Sequence, residues 1–472
     1  MIYIDRNLES PLYQQVYTAI KMEIIIKVRK EGEKLPSIRA LAKELNVSAT
    51  TIVQAYEQLS AEGYVENRRG SGHYVCKVDL PSSGGEVYTR VKDTMPIQEK
   101  KCIYHLESGK VDRNYIPLKK FKKMIDRSLL DIEPTRYASY ESKAGIAALQ
   151  ADISYYLNVA RGVVCEPDQV LIASSSHQLV DIAAKLVKYR RGITSVVLED
   201  PSSVWYQKLF SMDDFTIEPV YVDEQGLDME ELERTTGRLF CITPSHQFPT
   251  GAFLTVQNRL KVLDLANKRD GYIIEDGSGG ELRYRNISVP ALQGLDESDR
   301  VFYLGSASRI FAPGLRISYM VIPKSFRTDF NELFAYFHGN VPDFLQRAFY
   351  YFMEEGYWEN HIKKITTIYA RKHDRFIRIL ERELSPYCRV IGTGGGLHFI
   401  IESCNGMSEE EMIERAVNES VEVYPESIYW IRKERYKGGH VIVGFASLSD
   451  EEQDDVAARL KRAWCIKECA AQ

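Results

Sequence analysis

Two sets of residues in the 472-residue chain carry side chains that could do chemistry. The first is spread over three stretches: Ser175, Ser176 and His177 in SSSHQL, Asp276 at the end of GYIIED, and Ser306, Ser308, Arg309 and Arg316 in YLGSASRIFAPGLRISY. Amides of a loop entering a helix can cradle a phosphate, and an arginine can grip the same group with two parallel bonds. An acid that closes a buried apolar run can hold an N–H group. The second set is Ser37, Arg39, Ser48, Thr50, Thr51, Gln54, Arg68, Arg69 and Ser71. Hydroxyls, an amide and guanidinium groups at a helix start and a hairpin tip can reach base edges and backbone phosphates of duplex DNA. Singly, each residue has an ordinary structural explanation, such as a helix cap or a surface ion pair. The ordered sets carry the argument.

The elements that must position the second set are written around it. In LPSIRALAKELNVSATTIVQAYEQLSAEGYVENRRGSGHYV, Ser37 caps a helix ending near Leu45, and Ser48 caps a second that runs to about Glu62, where Gly63 stops it. Ala40, Leu41, Leu45, Val47, Ile52, Tyr56 and Leu59 are expected to bury one face of each helix, leaving Thr50, Thr51 and Gln54 for a major groove. YVENRRGSGHYV then forms two short strands with Arg68 and Arg69 at the tip. This pattern predicts a winged helix-turn-helix over residues 1–75 that reads double-stranded DNA, although its ten Lys and Arg nearly cancel nine Asp and Glu. The polar run CKVDLPSSGGEVYTRVKDTMPIQEKK marks a linker over 76–111.

From residue 112 helical patterns alternate with β-rich runs such as SVVLED, GYIIED and RVFYLGS, which predicts an α/β domain with a largely parallel sheet over 112–472. Its last part, 340–472, contains a smaller α+β subdomain around VIGTGGGLHFIIE and GGHVIVGFASLS. Eight cysteines without Cys-x-x-Cys spacing indicate neither a disulfide framework nor a metal site. No basic leader or long apolar span is present, so a cytoplasmic protein with no membrane partner is expected. A net charge of -5 argues against a chain that coats nucleic acid along its whole surface, but a small DNA-reading module can sit inside an acidic chain.

The stretch from PLYQQVYTAIK to GSGHYV resembles the DNA-binding domain of GntR-family regulators over its whole length, with Ala49 where that family usually has arginine. YESKAGIAALQADISYYL, TPSHQFPTGAFLTVQNR, IIEDGSGGELRY and YLGSASRIFAPGLRISY resemble fold-type-I pyridoxal-phosphate aminotransferases, and specifically the MocR-type regulators in which that domain is fused to a GntR head. The resemblance implies a homodimer and a cofactor-binding set. In that set Asp276 meets the ring nitrogen, and Arg316, Ser306, Ser308 and the Ser175, Ser176, His177 loop meet the phosphate.

The departures decide the functional reading. The family's reactive lysine matches Arg309, whose guanidinium stays protonated and cannot attack an aldehyde. The next lysine, Lys324, lies too far along the chain to substitute. Ser203 stands for the aromatic that stacks on the ring, Ser278 for a phenol and Ser175 for a glycine, and the carboxylate-gripping arginine expected before GFASLS is missing. No catalytic residue is assigned. The resemblance then implies a transcriptional regulator whose degenerate aminotransferase-like domain serves dimerisation and the sensing of an effector. The alternative, an active aminotransferase with an appended head, would need lysine at 309. Three states of the pocket stay open: pyridoxal phosphate or its amino-acid adduct held noncovalently, another anionic small molecule, or no ligand with Arg309 paired to Asp276.

Overall fold

Serine caps start the two helices that carry the DNA-reading set. The computed structural model describes residues 10–78, 102–134, 144–224, 226–284, 290–334 and 341–465. The chain divides into two compact units, 1–97 and 98–472. In the first, α1 spans Leu12–Ile25, α2 Ile38–Glu44 and α3 Ala49–Ala61, followed by the antiparallel hairpin of β1, Val65–Arg68, and β2, Gly72–Val75. Ser37 Oγ accepts from the Ala40 amide at 3.2 Å, and Ser48 Oγ from the Thr51 amide at 3.1 Å. Ile52, Ala55, Tyr56 and Leu59 of α3 pack on Val16 and Ile20 of α1 and on Leu41, Ala42, Val65 and Val75. Ala40 is exposed, against expectation. With α2 starting at Ile38, the inward face takes Leu41 and Ala42, and position 40 points the other way.

The second unit is built on eight strands in the order β4, β11, β10, β9, β8, β5, β6, β7. These are β4 Val170–Ala173, β5 Ser195–Asp200, β6 Thr216–Asp223, β7 Gly226–Leu227, β8 Leu239–Ile242, β9 Tyr272–Asp276, β10 Val301–Ser306 and β11 Ser318–Val321. Five central strands, β10, β9, β8, β5 and β6, are parallel; β11 runs antiparallel to both neighbours, and β7 to β6. β4, β8 and β11 are buried along their full length, as a sheet covered on both faces requires. A smaller antiparallel sheet joins β12 Cys388–Ile391, β13 His398–Ser403, β16 His440–Gly444 and β15 Tyr424–Pro425, next to a 28-residue helix, Tyr357–Leu384.

The expected linker ends earlier than residue 111. Positions 79–101 lie outside the described residues, whereas β3, Tyr104–His105, pairs in parallel with β14, Val421–Glu422. Leu106 is buried in the large core and its carbonyl accepts from the Gly444 amide at 2.8 Å. The apolar residues Leu106 and Val111 draw this segment into the fold behind a run that is polar in composition.

Candidate functional site

The parallel strands deliver their carboxyl ends to one edge of the sheet, the edge at which open α/β sheets form ligand crevices. There, β4 is followed by the Ser175 loop, β5 by Ser202 and Ser203, β9 ends on Asp276 and β10 on Ser306. Antiparallel β11 begins at the same edge, with Ser318 opposite both Ser306 and Ala173. The residues enclose a cavity of about 320 Å³. All seven positions expected for a phosphate-bearing ligand line it, as do Arg309, Ser203 and Ser278. Residues 140–143, which open YESKAGIAALQADISYYL, lie outside the described residues.

Local structure explains each placement. Ser175 is extended and caps the helix Ser176–Arg191 by accepting from the Gln178 amide at 3.2 Å, so the serine in the glycine position is used as an N-cap. The amides of Ser176 and His177 have no acceptor in the protein among the described residues. The His177 ring stacks on Trp205 with centroids 4.1 Å apart, and burial, reinforced by Arg316, lowers its pKa and keeps it neutral at pH 7. Ser306 Oγ accepts from the Ser308 amide at 3.2 Å and from Ser318 Oγ at 3.1 Å. Arg316 follows the short turn Pro313–Leu315 with φ of 54°, a left-handed conformation that costs a non-glycine residue about 1–2 kcal/mol.

Asp276 does not pair with Arg309. Its Oδ2 accepts from the Tyr206 hydroxyl at 2.6 Å and its Oδ1 from the Ser278 amide at 2.9 Å. Tyr206 is buried, and burial together with the neighbouring Asp276 carboxylate raises its pKa well above the ordinary phenol value, so it is a donor. The Arg309 guanidinium instead lies 5.9 Å from the Phe248 ring centroid, with its chain passing Gly279, where an added Cβ would come within 3.2 Å of Arg309 Cδ. Neither Arg309 nor Arg316 forms an ion pair or side-chain hydrogen bond with a protein group among the described residues, and Ser202 Oγ and Ser278 Oγ are buried without a partner. Among the described residues no lysine lines the cavity; Lys324 is exposed and paired with Glu166 at 2.7 Å.

Tyr206, Glu199, Phe248 and Tyr429 line the cavity without having been singled out in the sequence. The aromatic pair in SSVWY was the available signal for Tyr206. Glu199 precedes Asp200 at the end of β5, accepts from the Thr243 amide at 3.1 Å and has its pKa pushed up to about 7 by burial. The smaller subdomain supplies Tyr429; the nearby Arg432 is engaged with Asp200 at 2.8 Å and with Glu231, so it is not a free carboxylate grip.

A fit test against pyridoxal phosphate divides the cavity. The groups that would hold its phosphate are present in Arg316 and the Ser176 and His177 amides. Those that would hold its ring do not fit: Ser203 has no face to stack, the Asp276 carboxylate already holds a phenol on one oxygen and an amide on the other, and position 309 has no amine.

In the first unit Arg39, Thr50, Gln54, Arg68, Arg69 and Ser71 are exposed. Ser37 and Ser48 serve as caps, and Ser48 Oγ also lies 2.8 Å from Thr51 Oγ1, which occupies that hydroxyl. Arg68 pairs with Glu66 and lies 4.5 Å over the Tyr74 ring, while Ser71 Oγ contacts Tyr74 OH at 2.7 Å.

These features define a winged helix-turn-helix joined to a fold-type-I aminotransferase-like domain. Residues 12–75 match the gntR family of bacterial regulatory proteins, and residues 109–460 match aminotransferase class I and II. The chain belongs to the GntR family, among regulators of MocR type, and is a DNA-binding transcriptional regulator with an aminotransferase-like domain. It is 33% identical over 468 residues to the uncharacterized HTH-type transcriptional regulator YdeL of Bacillus subtilis, covering 98% of this chain and 99% of that protein. It is 27% identical over 487 residues to the probable rhizopine catabolism regulatory protein MocR of Rhizobium meliloti, covering 99% and 97%. In fold it is similar to LysN, the α-aminoadipate aminotransferase of Thermus thermophilus solved with N-(5'-phosphopyridoxyl)-L-leucine, at a TM-score of 0.66 and 24% identity over 76% of this chain and 91% of that one. The fold family binds pyridoxal phosphate, which supports that cofactor as a candidate ligand. No helix among the described residues is long and apolar enough to cross a membrane.

Proposed function

We propose that the large unit senses a ligand and does not catalyse amino transfer. In this reading the protein is a cytoplasmic homodimer that places two heads on two DNA half-sites. Thr50 and Gln54 of α3 face the major groove, with Arg68 and Arg69 near phosphates. The cavity holds an anionic small molecule noncovalently, and its occupancy biases DNA binding. The observation that carries the reading is Arg309 at the position of the reactive lysine, in a cavity that no lysine among the described residues lines. A guanidinium cannot become the neutral amine that attacks a carbonyl.

The test is reduction with borohydride after mixing the full-length protein with pyridoxal phosphate, followed by mass spectrometry and an assay for amino transfer across amino acids. The expected result is no labelled residue in the cavity and no turnover. Turnover with the label on any lysine overturns the reading. Arg309→Lys alone is expected to restore little, because Ser203 and Ser278 leave the ring side of the site unbuilt.

A further inference from the structure

We propose that the cavity takes the phosphate monoester of a small polyhydroxylated molecule, a sugar or polyol phosphate, in place of the pyridine-ring cofactor of its fold family. This rests on the reading of the cavity as an anion-binding sensor site and names its ligand class. The phosphate end is defined by charge. Arg316 and Arg309 have no protein counter-ion among the described residues, and the Ser176 and His177 amides at the start of a 16-residue helix have no acceptor. A dianion satisfies all of these groups at once.

The other end is defined by hydroxyl chemistry. Eight serines line the cavity. Two of them, Ser202 at 4% exposure and Ser278, hold buried hydroxyl oxygens with no partner, a state that costs free energy unless a bound molecule supplies one. Ligand hydroxyls can satisfy them, since each both donates and accepts. The residue at the ring-stacking position is the small polar Ser203, and the acid of the ring-nitrogen position already holds Tyr206. On the Arg309 side, Phe248 and Tyr429 meet edge to face at 4.9 Å and offer an aromatic surface to the C–H groups of a carbohydrate. The volume of about 320 Å³ lies within the roughly 300–1,000 Å³ of small-molecule sites.

Calorimetry on the full-length protein tests this with inorganic phosphate, pyridoxal phosphate, glycerol 3-phosphate, ribose 5-phosphate, glucose 6-phosphate and myo-inositol 1-phosphate. At least one sugar or polyol phosphate should bind tenfold or more tighter than both inorganic and pyridoxal phosphate. In Ser202→Ala/Ser278→Ala that ligand should weaken at least fivefold while inorganic phosphate is unaffected. Arg316→Gln should weaken every phosphate; thermal melting of each variant checks that it is folded. If inorganic phosphate binds and no sugar or polyol phosphate is tighter, or if pyridoxal phosphate is the tightest, the inference fails and the anion site stands. If nothing in the panel binds, inorganic phosphate included, the anion-site reading fails with it.

Discussion

The DNA-reading head and the cavity treat their polar groups in opposite ways. In the head, Ser37 and Ser48 spend their hydroxyls on helix amides, Thr51 is held by Ser48, and Lys21 and Tyr17 both bond Glu62. Apart from the buried Ser60 hydroxyl, the groups left over are on the outside, where water satisfies them until DNA replaces it. In the cavity the unpaired groups are inside: two serine hydroxyls buried without partners and the half-buried Arg309 guanidinium, which among the described residues forms no ion pair. A self-contained fold that meets its partner on an exposed face tolerates sequence change around that face. A fold with internal polar groups left open is completed by whatever enters it.

The largest test of this contrast asks whether the two units stand apart. Leu59 is fully buried in the small core of the head. Leu59→Ala should remove about 2–5 kcal/mol, comparable to the whole stability of so small a domain. DNA binding should disappear and the head's melting transition should drop or vanish, while binding of inorganic phosphate to the large unit and its melting stay unchanged. Loss of both together would show that the units are not independent.

The second test uses the cavity's own acid. Glu199 titrates at about 7 in the fold because burial disfavours its charge, against an ordinary value of 4.5. Its folded pKa lies above its unfolded one, so between these values the native state binds more protons and stability falls as pH rises; the full contribution survives only below about 4.5. The two pKa values bound this loss at on the order of 3 kcal/mol. His398, whose pKa burial lowers to about 4, and His246, lowered too, push the other way as pH rises, so the wild-type curve alone is a mixture. The difference between Glu199→Gln and wild type isolates the acid. The variant's Tm advantage should be near zero at pH 4.5, grow through pH 7 and level at a few degrees above pH 8. A difference that does not change with pH would remove Glu199 from the account.

The same contrast decides what could be seen in the sequence. The head was legible almost to the residue, because caps, a turn and helical periodicity are local signals; only Ala40 fell on the wrong face, since the helix phase depends on where the cap begins. The membership of the cavity was legible too, as ordered motifs at strand ends. Its bonds were not. Tyr206 reaches Asp276 across 70 residues, and the open reading that paired Arg309 with that carboxylate had no means of knowing that a phenol from another helix arrives there. β3 pairs with β14 across more than 300 residues, which composition read as linker. Pairings made by topology leave no local trace.

The smallest effect separates two neighbours on α3. Thr51 and Gln54 both stand near its start, but Thr51 is half-buried with its hydroxyl 2.8 Å from Ser48 Oγ, whereas Gln54 is exposed. Gln54→Ala should therefore change preference among DNA sequences by ~1–3 kcal/mol, the range of a good base contact, and leave nonspecific binding near its original level. Thr51→Ala removes a group already engaged inside the helix start. It should cost about 0.5–1 kcal/mol of head stability, the scale of a weakened cap, with little change in sequence preference. Arg69→Ala gives the control, since a lost phosphate contact lowers affinity for all sequences alike and reduces the salt slope by about 1. Binding measured against a library of duplexes, alongside head melting, distinguishes the three. If Thr51→Ala shifts preference as strongly as Gln54→Ala, the Ser48 bond breaks on binding and α3 enters the groove by its first turn.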